Sequence, residues 1–357
     1  RGPVHAPARG SRMSLPSASL RFPRDRVLLP RTRLAYVHLR NLFTDAMRDR
    51  SARVFGYVCV WLPDEFLIFY MQEGEVVNVT ASPDGQRFHP VAIADAIAKV
   101  PREAEYGEVC FHGGADELLA TMHWTQVQQP IPWPTDLHVE NPDAVIAHPH
   151  ATMHDGVVEV MHGEGWNYVI VHGGRAVRGY FADDSAAPPE AQLRALLSSD
   201  DTWVRVRLWP VPPALACQAS PALVQAYRDL MANAIRRLQQ SGAHGAAAVG
   251  EQARRHLMAQ HPSLDRLAVA LDALPTSGAG GATMGFGRSP ASPLRDPIVD
   301  PAALSAAVGA WLSELLWTSP PGDGMPPERF LEGLLRERRH MFQMAGLFDA
   351  LTWKLFA

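Results

Sequence analysis

Lysine is almost missing from this chain, with Lys99 and Lys354 the only two among 33 basic residues. That scarcity excludes a phosphate-binding loop of the Gly-Lys-Ser/Thr kind, whose lysine must reach the phosphates. It also leaves a Schiff-base lysine only two places to sit. Cysteine is equally thin: Cys59, Cys110 and Cys217 lie far apart, with no Cys-x-x-Cys pair. A disulfide framework and a thiolate zinc site are both excluded on that spacing. Cys59 and Cys110 fall inside apolar runs and are expected as small buried side chains, which fits a reducing cytoplasm. No stretch of 18 or more uncharged apolar residues occurs, so no membrane span is expected. A formal net charge of -4 offers no basic field for nucleic acid or for an anionic membrane. His-Glu-x-x-His and Gly-x-Ser-x-Gly are absent. The nearest approach to a nucleophile elbow, at 281–285, sits in a Gly/Ser-rich stretch with no flanking strand and reads as linker.

What is present is a foldable chain. Its 357 residues suggest two or three domains, and 47% hydrophobic content is enough to bury real cores. Residues 1–30 are rich in Arg, Pro and Ser, with Asp25 their only acid, and are expected as a flexible leader outside the fold.

The strongest pattern is an internal repeat offset by 100 residues. Gly56, Val58, Val60, Gly74 and Val77 recur as Gly156, Val158, Val160, Gly174 and Val177. In each copy a glycine opens a β-rich run, a polar turn follows, and a second run ends in Glu73-Gly74 or Gly173-Gly174. Those dipeptides suit a tight turn with positive φ, and a third run leaves it. Three such runs predict an antiparallel meander. Leu39, Leu42, Phe43, Ala46 and Met47 recur at helical spacing before the first meander, with Val145, Ile146 and Ala147 a weaker counterpart. Segments 90–97 and 189–197 predict a helix after each meander, and 108–112 and 203–209 a closing strand.

From Ser220-Pro221 the pattern turns helical, the serine suited to cap and the proline to begin a helix. Helices are expected over 221–240, 246–260, 263–274 and 300–317, with a last one opening at Pro326-Pro327 and running to about Gly346. Residues 276–299 read as a flexible linker. The expected fold class is therefore α+β: a first module at 31–130, a second at 140–213, a helical region at 219–275, and C-terminal helices at 300–357.

The meander, with its glycine-valine turn between a Leu-rich helix and a second helix, resembles a bacterial domain of unknown function related to the PATAN module. That module stands at the N-terminus of PatA-type response regulators. The matching segments are 39–112 and 144–209. The resemblance implies a protein-interaction part in bacterial signalling with no catalytic residues to carry over. The chain lacks the acidic cluster and strand-end aspartate of a receiver domain.

Chemistry-bearing groups are few. His148, His150 and His154 are the densest histidine group, and three imidazoles could hold zinc with one position open for water. His150 and His154 share a helix face, but His148 does not, and Pro149 disfavours helical geometry in the residue before it. They are expected as surface histidines. Asp183-Asp184 and Asp200-Asp201 read as caps or turns. Arg336, Arg338, Arg339 and His340 read as a solvated face, and the apolar residues from Met341 to Phe356 as a segment docked on the chain's own core. The sequence thus points to a non-enzymatic cytoplasmic regulatory or scaffolding protein with a protein partner and without catalytic, metal or cofactor residues. One alternative is a small-ligand sensor with Trp61, Trp166, Tyr168 and Trp203 lining a groove between the modules. The other is a metalloenzyme built on the histidine group.

Overall fold

The protein is described from a computed structural model, over residues 19–48, 54–100, 106–135, 137–139, 141–183, 185–199, 203–267, 296–322 and 324–355. In chain order the first elements are β1 (Arg26–Arg33), α1 (Leu39–Arg48), β2 (Gly56–Trp61), β3 (Phe66–Gln72), β4 (Glu75–Ser82), β5 (His89–Pro90), α2 (Ile93–Lys99), β6 (Glu108–Gly113) and α3 (Asp116–Val127). The second module comprises α4 (Pro142–Ala151), β7 (Gly156–His162), β8 (Gly165–His172), β9 (Arg175–Tyr180), α5 (Pro189–Leu197) and β10 (Val204–Pro210). Among the described residues there follow α6 (Pro221–Gln240), α7 (Ala246–Leu257), α8 (Pro301–Thr318), α9 (Pro327–Leu335), α10 (Arg339–Met344) and α11 (Leu347–Ala350). The fold is α+β.

The sheets run β1-β6-β2-β3-β4-β5 and β10-β7-β8-β9. Four strands of each, β6-β2-β3-β4 and β10-β7-β8-β9, stand in the same order. Their registers also agree: Val58 faces Phe69 as Val158 faces Val169, and Gly56 faces Met71 as Gly156 faces Val171. The turn between the second and third meander strands has positive φ in both copies, at Glu73 and Gly74 and at Gly173 and Gly174. A twisted antiparallel hairpin demands this of a two-residue turn. The opening glycines have a packing reason. A Cβ on Gly56 would stand 2.2 Å from the His112 carbonyl oxygen, and one on Gly156 1.9 Å from that of Trp209.

The chain divides into two compact units. Among the described residues the first contains those up to 75, 80–89 and 102–215, and therefore the second meander whole and the first except for 76–79 of β4. The second gathers 76–79, 90–101 and the helices from 216 onward.

Within the first unit each sheet buries both faces, which is why β2, β3, β7 and most of β8 are apolar almost without alternation. One face of β7 and β8 presents Val158, Val160, Val169 and Val171, clustered with Val145, Leu193 and Leu197 of the module's own helices. The opposite face carries Trp166, which stacks on Phe22 at a centroid distance of 5.7 Å. Phe22 also lies parallel to Phe66 of β3 at 5.9 Å, and Phe88 meets both Phe66 and Trp166 edge-on. The chain just before β1 thus ties the two sheets together. Backbone bonds reinforce it, since the Arg21 amide donates to Glu164 and the Trp166 amide to Arg21.

The structure corrects the expected leader. Leu20 and Phe22 are buried, and β1 pairs antiparallel with β6, so residues 19–30 belong to the fold. Arg and Pro on β1 suggested a loose tail, whereas they suit an exposed edge strand that must resist pairing with other chains. Residues 1–18 lie outside the described residues. Helix α3 was not anticipated either. Apolar and polar residues are spread around its whole circumference, and Leu118, Leu119, Met122, His123, Thr125 and Gln126 are all buried. A helix covered on most sides has no amphipathic stripe to read.

In the second unit Ser220 caps α6 by accepting from the Leu223 amide, and Asp300 caps α8 from Ala303. Tyr227, Ser305 and the Ala345 carbonyl form a buried chain of bonds, Tyr227 Oη to Ser305 Oγ at 2.5 Å and Ser305 Oγ to Ala345 O at 2.6 Å. Phe342, Leu347, Leu351 and Trp353 pack into the core of this unit. The expected last helix is broken into α9, a 3-10 turn at Arg336–Arg338, α10 and α11. Gly346 at φ 82° separates the last two and lets Leu347 turn back into the core. The expected helix over 263–274 begins instead as a 3-10 turn, Pro262–Leu267. Its remainder and most of the expected linker, 268–295, lie outside the described residues.

The Phe22 arrangement yields a stability prediction. Phe22→Ala is expected to lower the unfolding free energy by about 3–5 kcal/mol, the usual loss for a buried phenylalanine. Phe22→Leu should recover part of it in the same urea titration. A loss within the range of a surface substitution would contradict the central place given to this ring.

Candidate functional site

The second module holds a cavity of about 510 Å³ between α4, α5 and the outer face of β7, β8 and β9. That is within the size range of small-ligand sites. Helix α4 begins at Asn141, whose side chain accepts from the Ala144 amide, with Pro142 in the first turn. Pro149 sits inside α4 and is buried, so the helix continues through His148 against expectation. The β8–β9 turn packs on the end of α4 so closely that a Cβ on Gly174 would lie 2.7 Å from the Pro149 carbonyl oxygen. Only glycine supplies both that contact and a φ of 76°. Helix α5 starts at Pro189 and contributes Leu193 and Arg194 to the wall.

The cavity has an aliphatic floor and a charged rim. Ile146, Val158, Val169, Val171 and Leu193 form the floor, all but Ile146 nearly fully buried, and no aromatic side chain lines it among the described residues. An ion pair between Asp143 of α4 and Arg194 of α5 spans one end, with Glu190 close by. Arg175 and His150 stand where the β8–β9 turn meets α4.

Register explains why the first module is filled at the matching place. Phe69 and Met71 occupy the positions of Val169 and Val171 and are fully buried, with Phe43 of α1 at 5.2 Å from the Phe69 ring. Two large side chains in one copy have become two valines in the other.

The predicted site residues disperse. His150 reaches the cavity rim, while His154 Nε2 lies 3.1 Å from the Trp209 carbonyl oxygen. Among the described residues no three His, Cys, Asp or Glu side chains are placed to hold a metal. Trp61, Trp166, Tyr168 and Trp203 do not share a groove. Trp166 and Tyr168 are core residues, Trp61 lies under the Arg31 guanidinium at 4.1 Å, and Trp203 is exposed. The space expected as a groove is taken by side chains packed between the sheets, and the cavity lies on the other face.

A second feature missed in the sequence is the polar character of that inter-sheet packing. Glu159 occupies the position of Cys59 and is fully buried, with Arg207 Nη1 3.6 Å away. Burial pushes its carboxyl up to about 7, against the pull of Arg207 and Arg205. His123 of α3 is pushed down to about 4 by burial. Tyr70 Oη and Thr80 Oγ1 both donate to Gln126 Oε1, at 2.6 and 2.7 Å. Cys59 and Cys110 are directly opposite across β2 and β6, and burial raises the Cys59 thiol. The 100-residue offset sets Cys59 against Glu159 and Phe69 against Val169, so comparing the copies position by position is the signal that finds both features.

No family model, curated protein or solved structure matches the chain.

The two buried titrating groups have opposite effects on stability. An unfolded Glu159 releases its proton near 4.5, so between about pH 4.5 and 7 the folded chain alone keeps it. Acidification through that window favours the fold. An unfolded His123 takes a proton near 6.5 that the folded chain refuses down to about 4, so acidification disfavours the fold there. Each contribution is on the order of 3 kcal/mol, and the two largely offset. Glu159→Gln should therefore expose the histidine effect, with unfolding free energy falling by a few kcal/mol between pH 7 and pH 5 relative to the parent protein. Urea titrations at the two pH values measure it, and parallel profiles in both proteins would refute the assignment.

Proposed function

We propose that the chain is a non-catalytic regulatory protein of two PATAN-like modules, the second of which receives a small ligand in its α4–α5 cavity. The observation that carries this reading is the contrast between copies: the same position in the same strand register holds the large Phe69 and Met71 in one module and the smaller, also buried, Val169 and Val171 in the other, where they border the cavity. A ligand that occupies this space stabilises the folded state by mass action. The cavity's wall of aliphatic side chains with charges at the rim can bind and orient, and among the described residues it brings no nucleophile and base together at the floor. The first module, filled at this place, keeps the interaction role that its likeness to PATAN suggests. Among the described residues no helix is long and apolar enough to cross a membrane.

Returning the second module to the packing of the first tests the reading. Val169→Phe with Val171→Met should leave the protein folded and at least as stable, while abolishing stabilisation by a small apolar probe such as octan-1-ol. Melting curves with and without octan-1-ol measure both. An equal rise in Tm for the parent and the double variant would place the probe elsewhere and defeat the proposal.

A further inference from the structure

The rim of this cavity indicates which ligands it takes, an inference that rests on the ligand-binding reading above. Among the described residues the floor offers aliphatic carbon and no aromatic ring to stack on a nucleobase or other flat heterocycle. Among them, too, no polar side chain stands at its base to read a sugar or an amide. The charges are set at two ends. At one, Arg194 is held by Asp143, and Glu190 on the same turn of α5 adds a further negative charge. At the other, Arg175 begins β9 and His150 lies in the last turn of α4; both are exposed, and no acidic side chain pairs with Arg175 among the described residues. The end formed by Arg175 and His150 therefore has donors to spare, and the end formed by Asp143, Arg194 and Glu190 does not.

We infer that the cavity binds an aliphatic monocarboxylate, with its chain along the aliphatic lining, where Ile146 and Ala176 are partly exposed, and its carboxylate on Arg175, assisted by His150. A guanidinium presents paired N–H donors that match the two oxygens of a carboxylate. The opposite end repels a second anionic group and leaves the hydrocarbon terminus against Ile146 and Leu193. A cationic amphiphile would have to set its ammonium beside Arg175 or reverse itself toward a carboxylate already engaged with Arg194.

Isothermal titration of the full-length protein with octanoate, octan-1-ol and octylammonium decides the matter. Octanoate is expected to bind tenfold or more tighter than octan-1-ol, as a charge-assisted hydrogen bond allows. Affinity should rise about fourfold per methylene from hexanoate to octanoate, the increment of one buried CH₂. Arg175→Gln should erase the preference for octanoate while leaving octan-1-ol binding in place, and Val169→Phe with Val171→Met should remove binding of all three. Equal affinity for octan-1-ol and octanoate, tighter octylammonium, or an octanoate preference that survives Arg175→Gln would overturn the carboxylate assignment and leave the cavity standing. Failure of every probe with the parent protein, or undiminished binding by the double valine variant, would overturn the ligand-binding reading itself.

Discussion

The stacking of Phe22 between Phe66 and Trp166 is the contact on which the first unit depends. An antiparallel meander with helices on one face still has a second face to cover. The two copies solve this by turning those faces to a common interior, where Phe22 and Phe88 join β3 to β8. Hydrophobic area is the driving term, and ring geometry adds orientation at centroid distances of 5.7–6.5 Å. Because Phe22 immediately precedes β1, the same few residues close this interior and extend the first sheet at its edge. A segment with the composition of a tail is thereby part of the core.

A shared interior frees the copies to diverge in what they place there. Cys59 in the first becomes Glu159 in the second, a fully buried carboxyl group with a guanidinium 3.6 Å away. A buried ion pair of that separation recovers only part of the desolvation of its members, so the acid retains a proton to about pH 7. His123, on the helix that packs against β2 and β3, is held neutral by the same exclusion of water. The interior carries two titrating groups of opposite preference, and their near cancellation gives the fold a flatter acid response than either residue alone would allow.

The periodic features were legible in the sequence: both meanders, their positive-φ turns, the helices after them, the capped start of α6 and the start of α8. Each rests on local rules, the alternation of strands or the chemistry of caps and turns. What escaped was decided by tertiary burial. Helix α3 has no polar face because several partners surround it, and Pro149 is tolerated in α4 because its ring is buried there. The last helix breaks because Phe342 and Leu347 must reach one core from successive turns, which Gly346 permits. The candidate site was legible only in part. Its valines look like ordinary strand residues until they are aligned with Phe69 and Met71, and of the tryptophans that looked like pocket walls Trp61 and Trp166 are packing residues and Trp203 is exposed.

Strand β9 links the cavity to the rest of its unit. Its first residues, Arg175 and Ala176, line the cavity wall. Its last ones, Arg178 and Tyr180, both bond Glu117 at the start of α3, at 2.8 and 2.7 Å. Helix α3 in turn holds Tyr70 of the first module through Gln126. Among the described residues β9 pairs with β8 alone, and its Cα register slips between Ile170 and Val171, beside the cavity floor. An edge strand with an irregular ladder is the member of a sheet that adjusts at least cost. The proposed ligand, seated against Arg175, would act on the element whose other end grips α3, so that occupancy of the cavity in one copy would be felt by its neighbour.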